Sequence, residues 1–252
     1  MAHMEKYRKF LKAYWWLERE KVKTDRQRKV PPPPLQKPYS PADALIDLAA
    51  PERLNIAGKT VFAAIKDRRT HRKFSRESLT LEELSFLLWA TQGVHEIDKS
   101  GRTMRTVPSA GARHPFETYL LVNRVQGLAA GIYRYLPLAH KLLPLAAGHV
   151  PEHMIAEGFW GQNFIAGGAV IFVWTVVPYR SEWQYLMVSP KMTALDAGHV
   201  CQNLYIACEA IGAGTCAVGM YDQERLDALL GVDGREEFAV YAAPVGKVQR
   251  NG

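Results

Sequence analysis

The stretch RRTHRKFS at residues 68–75 places Arg68, Arg69, Arg72 and Lys73 within six positions, with His71 among them. Guanidinium groups at that density either form a solvated basic patch or hold an anion, because their planar fork of N–H donors matches phosphate or carboxylate oxygens. A second candidate is the loop RTVPSAGARHPFE (105–117). Ser109, Ala110, Gly111 and Ala112 are small enough for backbone N–H groups to approach a ligand, and Pro108 and Pro115 stiffen the two ends. The third is the turn TCAVGMYD (215–222). Read alone, each is compatible with an ordinary connection. Other chemistries lack their residues. There is no GxSxG elbow and no Walker loop, and GAGTCAVG follows a helix and enters a strand, the reverse of the dinucleotide-binding order. No CxxC or HExxH spacing exists, and His149 and His153, with Pro151 between them, read as surface histidines, so no metal site is expected.

These segments need elements to hold them. Thr80 and Glu83 form a T-x-x-E capping box that opens a helix closed by Gly93. A short helix is predicted over 60–68, a strand over 117–123, a hairpin over 131–145, a helix over 151–159 and a buried strand over 168–177. A long helix over 191–211 stops near Gly212 and Gly214, TCAVG (215–219) reads as a strand, Asp222 caps a helix ending near Gly231, and 237–246 is a final strand. The class is α+β, helices on a sheet without regular βαβ winding. In the long helix, Ala194, Ala197, Cys201, Leu204, Cys208 and Ile211 alternate at three and four residues, a packing seam that serves either the chain's own core or a homodimer contact. Upstream, residues 5–23 read as a helix with Tyr7, Phe10, Leu11, Tyr14, Trp15 and Leu17 needing something to pack on. VPPPPLQKPYSP follows, too proline-rich for helix; it reads as an arm wrapping the body, with an SH3-type ligand as the other reading. Residues 1–55 are taken as a basic, proline-rich extension and 56–252 as the domain.

The composition, 252 residues with 48% hydrophobic and 23% charged, is that of a globular chain. Its longest apolar run, AVIFVWTVV, is about half of what a bilayer span requires, so no membrane partner is expected. No charged leader precedes an apolar block, and three cysteines without framework spacing suit a reducing compartment, so a cytoplasmic place is expected. The net charge of +7 is concentrated: ten Lys and Arg against four Asp and Glu give +6 within residues 1–30. A solvated basic face accounts for that charge, with nucleic acid or a protein partner docking on the arm as the alternatives.

In series, RRTHRKF, the capping-box helix ending in LLWATQG, PSAGxxHPxE, DAGHVCQN, GAGTCAVGMYD and APVGK resemble the nitroreductase-like flavoprotein family in order and spacing, over about residues 60–248. The branch it looks most like is that of the SagB-type dehydrogenases, which include oxidases that make thiazoles and oxazoles on peptides. GIYRYLPLAHKLLPL resembles that branch's inserted hairpin. The resemblance implies a mixed or antiparallel sheet flanked by helices, an intertwined homodimer and bound FMN. By that resemblance Arg68 meets the phosphate, Arg69 and Thr70 line the ribityl chain, and Arg72 lies by the pyrimidine edge, where a cation favours the reduced ring. His71 and Lys73 then point to solvent. Pro108, Ser109, Ala110 and Gly111 would contact the flavin of the other subunit. Val218, Gly219 and Met220 would border flavin N5, with the backbone N–H near Gly219 bonding it, and Lys247 or Arg250 would add a phosphate contact.

The implied reaction is two-electron redox with hydride at N5, between a donor, NADH or NADPH among the candidates, and a small acceptor such as a nitro or quinone compound. A peptide azoline dehydrogenase is the alternative. Members oxidising azolines often carry a Lys-Tyr pair before the helix matching DAGHVCQN; this chain has Gln184-Tyr185, and Gln cannot act as a base. Tyr185 either donates a proton or packs. Trp160, Trp174 and Trp183 either roof the flavin or fill the core. A second alternative is a non-catalytic flavin- or nucleic-acid-binding protein.

Overall fold

The computed structural model describes residues 2–19, 21–56 and 58–248. The strands among them are β1 (Ile46–Asp47), β2 (Val94–Ile97), β3 (Thr103–Arg105), β4 (Phe116–Val122), β5 (Gly131–Leu136), β6 (Lys141–Ala147), β7 (Val170–Val176), β8 (Ala213–Thr215) and β9 (Phe238–Lys247). The helices are α1 (Ala2–Arg8), α2 (Trp15–Arg19), α3 (Val61–Asp67), α4 (Leu81–Gln92), α5 (Glu152–Gly158), α6 (Tyr179–Tyr185), α7 (Ser189–Ala210) and α8 (Gln223–Leu230).

A strand that is mostly apolar without alternation can rest only where both sheet faces are covered. FETYLLV and VIFVWTV are such strands; every residue of β4 and β7 is buried, the polar Glu117, Thr118 and Thr175 included, and they pair antiparallel at the centre. The main sheet runs β1-β6-β5-β4-β7-β9-β8, antiparallel throughout, and β2 with β3 makes a separate ribbon. Side chains alternate between its faces. Leu120, Phe172 and Trp174 meet Leu84, Leu87 and Leu88 of α4 and Cys201 and Leu204 of α7. Leu121, Ile171 and Val173 face Ile155 of α5 and Leu226 and Leu230 of α8. The result is three layers, helix on sheet on helix.

Local chemistry sets the helix ends. The Thr80–Glu83 capping box is complete on both sides, and Asp222 accepts from the Arg225 N–H to start α8, which Gly231 ends in a left-handed conformation. The predicted strand at 215–219 begins earlier: Gly212 at φ 70 turns the chain straight from α7 into β8, and beyond Thr215 only Val218 still bridges to Ala242. The α7 seam turns inward. Ala197, Cys201, Leu204, Cys208 and Ile211 lie in the core beneath the sheet, and of the six only Ala194 is exposed, so most of this seam packs the chain against itself.

The proline-rich stretch wraps the body. Prolines have no N–H, so their part of such a segment offers only carbonyls to hydrogen bonds, and donors from the body supply most of the bonds. Trp183 Nε1 donates to Val30 O (3.0 Å), Arg180 Nε to Pro34 O (3.0 Å) and Arg134 Nη2 to Pro38 O (2.8 Å). Glu117, nearly fully buried, accepts from the Lys37 N–H at 2.7 Å and from Arg180 Nη2 at 2.5 Å. The part of the extension after Thr24 is therefore built into the body. The predicted helix over 5–23 is broken: α1 passes into one 3-10 turn, Lys12 is extended, and α2 follows. Tyr7, Phe10, Leu11, Tyr14 and Leu17 stay exposed, whereas Trp16 meets the Tyr185 ring edge-on and Lys191 Nζ donates to Leu11 O at 2.6 Å. No helix among the described residues is long and apolar enough to cross a membrane.

The buried pair gives a contrast that urea unfolding can measure. Glu117→Leu strands the Arg180 guanidinium and the Lys37 N–H, and is expected to cost about 3–5 kcal/mol. Lys141→Ala, which removes the exposed Lys141–Asp47 pair (2.8 Å), should leave the unfolding midpoint almost unmoved.

Candidate active site

Arg68 ends α3, its N–H closing on Ala64 O, and the chain then runs extended along the edge of the sheet. Thr70 bridges Thr215 in parallel, the His71 N–H donates to Thr215 O (2.9 Å) and the Ser75 N–H to Lys247 O (2.8 Å). Pinning at both ends makes alternate side chains face opposite ways. Arg68, Thr70 and Arg72 share one side: the Arg68 guanidinium is 5.4 Å from the Tyr205 ring centre, Thr70 Oγ1 is 3.3 Å from the Tyr205 hydroxyl, and Arg72 is 5.9 Å from the Phe164 ring and beside the Cys216 thiol. Burial pushes that thiol's pKa up, and Arg72 opposes the shift. Arg69 is exposed and donates to the carbonyls of Lys66 and Arg68. Lys73 is exposed as well. His71, expected in solvent, is half-buried against Gly214, with Nε2 at 3.8 Å from Glu209; alternation turns it inward toward α7.

Tyr205, unnoticed in the sequence, organises this corner. Its hydroxyl accepts the Ala217 N–H at 2.8 Å and meets Thr70, so α7 fixes the basic segment and the turn after β8 together. A tyrosine on the flank of a seam of small residues was the available signal.

Among the described residues no carboxylate lies within ion-pairing distance of Arg68, Arg69, Arg72, Lys73 or Arg76. Residues 70–76 and Val248 line a cleft of about 760 Å³. Lys247 does not add to this charge: its ammonium is ion-paired with Glu83 and donates to Ile211 O, which turns it into the body and away from an incoming anion. Arg250 lies outside the described residues.

In the following turn, Val218 exchanges both backbone hydrogen bonds with Ala242 (2.8 and 3.0 Å), which holds Gly219 and Met220 out from the sheet edge. Gly219 is exposed with open space where a Cβ would stand, so a planar ligand can reach its backbone. It borders a largely apolar cleft of about 700 Å³, shared with Ala194, Ala197, Phe238 and Tyr241.

The loop with Pro108, Ser109, Ala110 and Gly111 sits elsewhere. The Ser109 hydroxyl donates to Asp196 at 2.6 Å. A Cβ on Gly111 would stand 2.4 Å from Gln184 Nε2 and 2.6 Å from the Tyr185 hydroxyl. Tyr185 therefore belongs with this loop and does not line the cleft beside Gly219. Asp196 and Tyr205 are nine residues apart on α7, about 13 Å along its axis. One chain thus carries two groups of candidate residues, the basic segment with the 217–220 turn and the 108–112 loop with Tyr185. Of the three tryptophans considered as a flavin roof, Trp174 is core, Trp183 is packed under Arg113 at 4.7 Å, and Trp160 is exposed.

The family model for the nitroreductase family matches residues 65–247, and the chain belongs to that family. It is 32% identical over 180 residues to a nitroreductase-family protein of Methanocaldococcus jannaschii, covering 71% of this chain and 87% of that one. It is 26% identical over 142 residues to the trifolitoxin-processing protein TfxB of Rhizobium leguminosarum bv. trifolii, covering 55% of this chain and 38% of that one. Among solved structures, one classed as a nitroreductase from Ralstonia eutropha JMP134 aligns with a TM-score of 0.68 at 23% identity, over 88% of this chain and all of that one. A chain of the Escherichia coli microcin synthetase McbBCD complex aligns at 0.59 and 18% identity, over 80% of this chain and 79% of that one. A nitroreductase-like protein in complex with FMN, from Desulfovibrio desulfuricans, aligns at 0.53 and 18% identity, over 77% and 89%.

His114, at the end of the loop, offers a pH test. Burial, with Arg105 and Arg113 acting the same way, pushes its pKa down to about 3. The unfolded chain takes up this proton near pH 6.5 and the folded one does not, so stability falls as pH drops from 6.5 toward 3, by up to about 1.4 kcal/mol per pH unit. His114→Gln should flatten that part of a Tm-against-pH curve.

Proposed function

We propose that this chain is an FMN-dependent oxidoreductase that moves two electrons between a donor, NADH or NADPH, and a small acceptor such as a nitro or quinone compound. The carrying observation is the basic segment fixed on the sheet edge with no carboxylate within ion-pairing distance among the described residues. A run of like charges repels itself, and an anion relieves that repulsion through charge-assisted hydrogen bonds. The residues fit FMN in size and kind. Arg68 would hold the phosphate, Arg69 and Thr70 the ribityl chain, and Arg72 the pyrimidine edge. Gly219 leaves its backbone open to a flat ring, and Val218 and Met220 would flank it. When bound, FMN supplies a ring that takes and gives hydride. The chain's own residues anchor, orient and charge-stabilise it.

A homodimer suits the two-group arrangement. The loop with Pro108, Ser109, Ala110 and Gly111 stands about two and a half helical turns from the basic segment along α7, so the loop of a second copy could complete the site. Val61, Phe62 and Ile65 of α3 are exposed beside the basic segment and give such a copy apolar surface. Tyr185 would then face the ring of the other copy as proton donor or substrate wall. The likeness to TfxB and the McbBCD chain supports the second reading, oxidation of a peptide azoline; Gln184 weighs against it. A protein partner on the basic arm belongs with that reading. The third reading, a non-catalytic flavin or nucleic-acid binder, would use the arm's charge. A cytoplasmic place accords with a soluble nicotinamide donor.

The test is absorption of the purified protein with FMN, then anaerobic NADH or NADPH. A two-banded flavin spectrum that bleaches is the expected result; no uptake of FMN overturns the proposal. Arg68→Ala should weaken FMN binding on the order of 10- to 100-fold, the worth of one or two charge-assisted hydrogen bonds, with far-UV circular dichroism unchanged.

A further inference from the structure

The loop from Ser109 to His114 has an unusual backbone. Gly111, Ala112 and His114 have φ of 59°, 52° and 44°, a region that side-chain-bearing residues avoid. Such strain persists only where the surroundings impose it. Here one buried carboxylate does so. Asp196, 4% exposed, accepts the Ser109 hydroxyl at 2.6 Å and the Ala110 N–H at 3.2 Å on both oxygens. The Ser109 oxygen in turn accepts the His114 N–H at 2.9 Å, so both ends of the strained stretch close on the same group.

The dependence is mutual. Burial raises the pKa of Asp196, and the Ser109 and Ala110 donors oppose that shift. The nearest imidazole, His199, is 4.0 Å away and half exposed, so these donors are the main compensation for burying the charge. Asp196 itself cannot shift, because its neighbours Ala197, Val200 and Cys201 lock that face of α7 into the core. On its far side the loop meets Gln184 and Tyr185 through the bare Cα of Gly111.

We propose that Asp196 is the positioning residue of the site: it holds the 109–114 loop in the one strained shape that presents Ser109, Ala110 and Gly111 to the FMN ring and seats Tyr185 beside them. The assignment rests on the FMN reading above. Asp196 touches neither cofactor nor substrate and acts through the loop.

Three readouts on Asp196→Ala, Asp196→Asn and the wild-type full chain test it: the FMN dissociation constant from flavin fluorescence, the visible circular dichroism of bound flavin, and hydrogen exchange of the Ala110 and His114 amides without FMN. Asp196→Ala should weaken FMN binding about 10-fold, about 1.4 kcal/mol. It should also change the visible dichroism and speed exchange of both amides by about 10-fold or more, in keeping with local opening. Asp196→Asn should fall between, since an amide oxygen keeps the Ser109 bond while its NH₂ repels the Ala110 N–H. A purely structural role would lower Tm while leaving the dissociation constant and dichroism of the folded protein as in wild type, and that result overturns the proposal. If Asp196→Ala does not fold, Ser109→Ala must show the same three changes, and wild-type behaviour there is equally fatal. Wild-type protein that takes up no FMN sinks the cofactor reading alone, because amide exchange still decides whether Asp196 holds the loop.

Discussion

The burial of one face of α7 is the constraint on which the site depends. Ala197, Cys201, Leu204 and Cys208 are small or slender enough to lay the helix flat on the sheet beside α4. Once that face is fixed, the flanks of the helix become rigid mounting points. Asp196 near one end anchors the 108–112 loop, Tyr205 anchors both the basic segment and the turn bearing Gly219, and Glu209 faces His71. Helix packing is close to crystalline in density, so groups attached to it keep their spacing better than groups on free loops. A redox site built around a flat cofactor needs that constancy more than it needs acids and bases.

Electrostatics divides the cations of this chain into two kinds. Arg180, Arg105 and Arg134 are buried and each donates to a carbonyl of the proline-rich arm, and Lys247 is taken up by Glu83. Those groups are structural. Arg68, Arg69, Arg72, Lys73 and Arg76 have no carboxylate within ion-pairing distance among the described residues and lie on an edge segment pinned by backbone bonds. The distinction matters, because a count of positive residues would point first to the N-terminal arm, which carries most of the excess charge, whereas a basic cluster held on a rigid edge is the better anion site.

Elements governed by local chemistry were legible in the sequence. The Thr80–Glu83 box, the Asp222 cap, the mostly apolar β4 and β7 and the hairpin of β5 and β6 all follow from capping, periodicity and length. The family was legible too, from motifs in series. What failed depended on contacts distant in the chain. Residues 5–23 have a helical pattern, yet the helix breaks after Leu11, where Lys12 is extended, and resumes at Trp15, where Trp16 meets Tyr185. The α7 seam has the same spacing whether it meets its own sheet or a second copy, and only the tertiary structure separates the two. Tyr205 and Asp196 were missed because their partners lie 135 and 87 residues away. The pairing of Lys247 with Glu83, across 164 residues, was likewise invisible.

The most direct measurement compares the affinities of FMN and riboflavin for the wild-type protein at low salt. The two ligands share ring and ribityl chain and differ in the phosphate, the group assigned to the uncompensated cations. Two charge-assisted hydrogen bonds to that phosphate correspond to FMN binding about 100-fold tighter or more, a difference that shrinks as salt rises. Equal affinities, insensitive to salt, would mean that the basic edge holds no phosphate and that the site lies elsewhere.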